Sequence, residues 1–223
     1  MGALAERASE ITSAPSLPRE GNDGWGEPLS SYRQWVRERG VTTPHITEVP
    51  PAGVDAAIDS GAQLLVVRAT HDDDIAARSL ISLLTGTESN SVVPQTTGMT
   101  DAAWMEQMIE VRDRVAALRV HQGDIEALLG TVPEVAAAAD ALVTASARRT
   151  PVLLEGLTVW AGAVAADRLS FRAKTWWHGA GTSSDPAIRS AVTRIGTDPG
   201  LDLQLPTQSV IGARVHAALL SID

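Results

Sequence analysis

The chain has 223 residues, 44% hydrophobic and 20% charged, with a formal net charge of −9 and no cysteine. That length buries a sizeable core, and the acidic balance argues against a nucleic-acid or anionic-membrane surface. Disulfides, thiolate metal sites and thiol nucleophiles are excluded. No window approaches the length of a membrane span and the first residues lack a signal-peptide pattern, so a cytoplasmic protein is expected.

In chain order, residues 1–11 are expected to form a short helix, followed by a Ser/Pro/Gly-rich loop or arm to residue 28. Residues 29–39 read as a helix ended by Gly40, with Leu29, Tyr32, Trp35 and Val36 on one face. Residues 41–51 carry three prolines and read as a connection, and residues 51–60 as a helix stopped by Gly61. Leu64-Leu65-Val66-Val67 is a buried strand. Residues 68–74 then turn into a helix reaching Leu84. His71 with Asp72, Asp73 and Asp74 invites a metal, but helix capping accounts for the aspartates more simply.

Residues 86–98 form a loop around a short Val92-Val93 strand, and Thr100-Asp101 caps a helix over 102–120. In that helix Trp104, Met108, Val111, Val115 and Leu118 are core residues, and His121 ends it. A short helix spans 122–129. Pro133 opens the next helix, whose Val135, Ala138, Ala139, Leu142, Val143 and Ala147 share a face, with Arg148 and Arg149 in its last turn. Residues 151–154 read as a buried strand, Glu155-Gly156 as a turn, and 157–169 as a returning helix. Residues 174–178 and 201–205 read as strands, 179–184 and 206–212 as loops, and 185–195 and 213–220 as helices.

Strands alternating with helices predict an α/β fold, a mostly parallel, doubly wound (Rossmann-like) sheet with helices on both faces. The expected division is an N-terminal arm and helix over 1–50 and an α/β domain over 51–223. In such sheets ligands bind beyond the carboxyl ends of the strands, which singles out Glu155. The residues by themselves give no complete catalytic constellation: there is no P-loop, Gly-x-Gly-x-x-Gly, serine elbow or metal-spaced histidine pair. No cofactor and no metal are expected.

Several segments, in order, carry a resemblance: Leu83-Leu84-Thr85-Gly86, Thr97-Gly98-Met99-Thr100-Asp101, Pro133-Glu134-Val135-Ala136 and Arg149-Thr150-Pro151-Val152-Leu153-Leu154-Glu155-Gly156. Ser183-Ser184-Asp185-Pro186, Asp198-Pro199-Gly200-Leu201-Asp202-Leu203 and Gly212-Ala213 continue it. From about Ala56 onward the chain resembles the nicotinate-nucleotide:dimethylbenzimidazole phosphoribosyltransferase family of cobalamin lower-ligand assembly. The resemblance implies transfer of phosphoribose from nicotinate mononucleotide to a benzimidazole nitrogen, giving α-ribazole phosphate. It also implies a base glutamate in a C-terminal loop, and here Ser209 takes that place. The family's glycine-rich phosphate cradle corresponds to Arg68-Ala69-Thr70-His71-Asp72-Asp73-Asp74, which has lost the glycines and is acidic. Gly181 stands where the family has a histidine.

Three readings follow. In the first, the chain is a non-catalytic relative, a pseudoenzyme that binds an aromatic base, a nucleotide or a partner subunit. In the second, it is an active phosphoribosyltransferase whose catalytic groups are displaced to Glu155, Glu134 or the aspartates, with phosphate held by Arg68, Arg78 or Arg149. The simpler reading of those arginines is solvated or helix-end charge. The third is a structural interaction domain. The pocket is expected to be lined by Thr97, Gly98, Glu134, Glu155, Ser183, Gln208 and Ser209. The family's first βα units are expected to be absent between Gly40 and Ala56, leaving a sheet edge for a homodimer or a heteromer to cover.

Overall fold

The computed structural model describes residues 2–14, 27–42, 45–69, 74–198 and 201–204, together with Gly212, Arg214, Val215 and Ala218. Four short strands, β1 (Thr47–Val49), β2 (Leu65–Val67), β3 (Val152–Leu154) and β4 (Trp177–Gly179), form a parallel sheet in the order β1-β2-β3-β4. Leu65 pairs with Val152 and Val152 with Trp177, so these three point to one face. Val66, Leu153 and His178, in register, point to the other.

Helices cover both faces. On the first lie α1 (Ala3–Ser9), α3 (Val54–Asp59), α4 (Asp74–Thr85), α5 (Asp101–Leu118), α6 (Ile125–Leu129), α7 (Pro133–Ala147), α8 (Leu157–Leu169) and α9 (Pro186–Ile195), which build the main core with Leu65, Val152 and Trp177. On the second lies α2 (Glu27–Glu38), whose Tyr32 and Val36 pack against Leu64, Val66 and Leu153. This matches the predicted parallel α/β architecture with helices on both faces. No described helix is long and apolar enough to cross a membrane.

Helix α8 is the central helix, buried from Leu157 to Asp167. It has no polar face because α7, α4 and α9 surround it, so its Ala-rich sequence reflects close packing rather than propensity alone. Gly162 marks the contact with α7: a Cβ there would lie 2.8 Å from Ala138 Cβ. Arg168 at its end donates to the Leu84 carbonyl at the end of α4, fastening the two helices together.

Several expectations are corrected. Residues 41–51 are not merely a connection: Ile46 to Val49 is a β-branched run broken by a single Glu, and it pairs as β1 with β2. With α3, β1 forms a βα unit over Thr47–Asp59. Its flanking prolines are compatible with an outer strand, where a ladder donor is not needed. Val92 and Val93 make no strand. Ser89–Val92 is a 3-10 turn that buries both valines and offers the Val92 carbonyl to Arg78.

The predicted strand 174–178 is split: Ala173–Trp176 is a 3-10 turn and pairing starts at Trp177. The Trp176 indole donates to the Thr12 carbonyl, tying this turn to the segment after α1. Residues 201–204 are irregular: the Leu201 carbonyl accepts both the Thr182 amide and the Leu203 amide two residues on, and Gln204 has φ +48°. Leu205 lies outside the described residues. Arg148 and Arg149 fall beyond α7 rather than in its last turn, and Arg148 ion-pairs with Asp55 and Asp59 of α3. Of the predicted 213–220 helix, Arg214, Val215 and Ala218 are described and helical, as is Gly212 just before it.

Candidate functional site at the carboxyl edge of the sheet

The carboxyl edge is built where β2, β3 and β4 hand the chain to their following segments. After β3, Glu155 and Gly156 turn into α8. Gly156 holds φ +88° and ψ 148°, a region open essentially only to glycine, and this allows the helix to start two residues beyond the strand.

The Glu155 side chain is 2% exposed. Its Oε1 accepts the Gly212 amide at 2.9 Å, and its Oε2 lies 3.7 Å from Arg68 Nη2. Arg68 leaves the end of β2 and donates through Nε to Glu48 Oε2 on β1 at 2.7 Å. The series Glu48–Arg68–Glu155 thus links three neighbouring strands at one edge. The hydrogen bond from Arg68 holds the Glu48 carboxyl below the usual carboxylate range, and the charges of Arg68 and Arg214 act in the same direction. The same bond raises Arg68 above the ordinary arginine value.

A second group lies between α4 and α9. Arg78 is 4% exposed and meets Asp185 in a two-pronged pair, Nη1 to Oδ1 at 2.9 Å and Nη2 to Oδ2 at 2.7 Å. Its Nη1 also donates to the Val92 carbonyl at 2.7 Å. Asp185 caps α9 through the Ala187 amide, and its own amide donates to Ser183 Oγ at 3.1 Å. The turn carrying Ser183 is therefore fixed to α4. Beside it, Thr182 donates to Asp202 at 2.7 Å, and this bond with one from Gln204 holds the Asp202 carboxyl below its ordinary value.

The predicted site residues are thus distributed. Glu155 is at the edge with Arg68, and Ser183 sits in the β4–α9 turn. Thr97 and Gly98 occupy an exposed turn ahead of α5, and Glu134 is in the first turn of α7. Gln208 and Ser209, like Thr70, His71, Asp72 and Asp73, lie outside the described residues. Among the described residues no group of three or more His, Asp or Glu side chains is placed to hold a metal.

Arg78 corrects the reading of these arginines as solvated or helix-end charge, whereas the Arg68 side chain stays 25% exposed and Arg149 is exposed. The signal for Arg78 was present: it stands in α4 among apolar residues on both sides, in a helix buried all round from Ala76 to Leu84, where an arginine needs a buried partner. Which carboxylate supplies the pair, 107 residues away, was not legible.

Fold and edge together define a parallel α/β protein with its polar side chains gathered where β2, β3 and β4 end. Residues 48–222 match a family described as phosphoribosyltransferase. The nicotinate-nucleotide–dimethylbenzimidazole phosphoribosyltransferases of Mycobacterium ulcerans and Mycobacterium tuberculosis are 35% identical over 169 residues, 74% of this chain and 47% of theirs. Among solved structures, CobT from Thermus thermophilus superposes with a TM-score of 0.68 at 23% identity, covering 86% of this chain and 55% of that one. A nicotinate-nucleotide–dimethylbenzimidazole phosphoribosyltransferase from the same organism gives 0.63 at 21% identity, covering 88% and 57%. These structures share the fold. The chain belongs to this phosphoribosyltransferase family, and it spans about half the length of the curated relatives it matches.

Proposed function

We propose that the carboxyl edge binds a nicotinate nucleotide or a benzimidazole-type base, the substrates named for the relatives, and that this chain alone does not turn them over. The observation carrying the second half is the state of the edge carboxylates. Glu48 accepts from Arg68, Glu155 from Gly212, and Asp185 from Arg78 and Ala187. A general base needs a carboxylate oxygen within reach of the substrate proton, and these three are engaged with donors of the protein itself. Ser209 at the family's glutamate position supports the same reading.

A second reading, an active phosphoribosyltransferase of cobalamin biosynthesis, is supported by 35% identity sustained over 169 residues. Titration calorimetry with nicotinate mononucleotide, 5,6-dimethylbenzimidazole and α-ribazole, followed by product analysis of the first two mixed, separates the readings. Binding without product is expected. Formation of α-ribazole phosphate would establish the active reading, and absence of all binding would leave an interaction domain. Among the described residues β1 pairs on one side only, with β2. We place a homodimer or heteromer contact on its outer edge, and light scattering is expected to give a mass above the 23.5 kDa of one chain.

A further inference from the structure

We propose that Glu155 is a positioning residue that holds Gly212, and with it the helical residues Arg214 and Val215, at the carboxyl edge through the Gly212 amide. Inside a helix an amide bonds to the carbonyl four residues back, and only first-turn amides look elsewhere. Gly212 is helical, yet its N–H goes to a side chain 57 residues away. Glu155 therefore caps that helix from another element, and a carboxylate suits the positive end of the helix dipole. Both partners are buried, so neither can exchange this bond for water without moving apart.

The other oxygen lies 3.7 Å from Arg68 Nη2, an ion pair without a hydrogen bond, and Arg68 is itself oriented by its bond to Glu48. Arg214, two residues beyond Gly212, lies near enough for its charge to help lower the Glu48 carboxyl. This deepens the reading above by giving the buried acid at the edge a structural task in place of proton transfer. It rests on that reading only in taking the edge as the site.

The task needs an acceptor atom and no titration, so glutamine should suffice where methionine of similar volume should not. Amide hydrogen exchange of the full chain without ligand provides the test. In Glu155→Met, amides from Gly212 to Val215 are expected to exchange about 10- to 100-fold faster, the loss of one charge-assisted bond. Those of α8 should keep their wild-type rates. Glu155→Gln should bring the rates back to within about threefold of wild type. Gly212→Pro removes the donor while leaving the buried acid alone, tolerates a first-turn helix position, and should release Arg214 and Val215 in the same way. The proposal is overturned if Glu155→Met folds and exchanges like wild type, if Gln behaves like Met, or, should the Met variant fail to fold, if Gly212→Pro leaves the segment protected. No substrate enters the measurement, so a failed ligand titration leaves it standing.

Discussion

At the residue scale, two buried groups set the expected response to pH and to substitution. His178 faces α2, its ring centroid 5.4 Å from Tyr32 and 5.1 Å from Trp35. Its Nδ1 lies 2.8 Å from the Gly179 carbonyl, which only accepts, so that nitrogen carries the proton. Burial lowers its pKa, and Asp198 at 3.7 Å offsets this only in part. The unfolded chain takes up a proton at this histidine below about pH 6.5 while the folded chain resists it. Stability should therefore be lost as pH falls from about 6.5 toward the depressed folded value. Urea midpoints across that range should slope less in His178→Gln than in wild type. Arg78 and Asp185 are both almost fully buried. Arg78→Met strands a carboxylate and should cost about 3–5 kcal/mol in chemical denaturation, and adding Asp185→Asn should recover part of it.

At the element scale, the joints of the central helix are the sensitive points. Gly162→Ala places a methyl 2.8 Å from Ala138 Cβ and 2.9 Å from the Ala139 nitrogen, both on α7. The helix-propensity gain of roughly 1 kcal/mol is outweighed by overpacking of about 1–3 kcal/mol, so the melting temperature should fall. Gly156→Ala meets open space but must hold φ +88°, and should cost about 1–3 kcal/mol through backbone strain alone. Helices α7, α8 and α9 were legible in sequence because Pro133, the Glu155-Gly156 pair and Asp185-Pro186 punctuate them. β1 was hidden because three strand residues between prolines carry too short a pattern to outweigh the turn signals around them.

At the scale of the whole molecule, the sheet is sealed by unequal covers. One face carries eight helices among the described residues, the other α2 with Tyr32 and Val36 against Val66 and Leu153. A chain beginning at residue 43 loses α1 from the first face as well as α2 from the second, and should bind a hydrophobic dye strongly and associate in size-exclusion chromatography, while keeping most of its helical signal. The aromatic face of α2 announced in sequence that it needed a partner, but not that the partner was the back of the sheet.

The sequence by itself determined the parallel α/β class, the long helices, the buried β3 run with its Glu155-Gly156 turn, and the family resemblance. Each of these is written in local periodicity, helix-end chemistry or ordered short motifs. Only the tertiary structure decided that Arg78 lies inside, that Arg68 bridges Glu48 and Glu155, and that Glu155 receives the Gly212 amide. Those contacts join residues 20 to 107 positions apart. The chemistry of one residue states that it needs a partner, and the packing of the helices and the register of the strands choose which one.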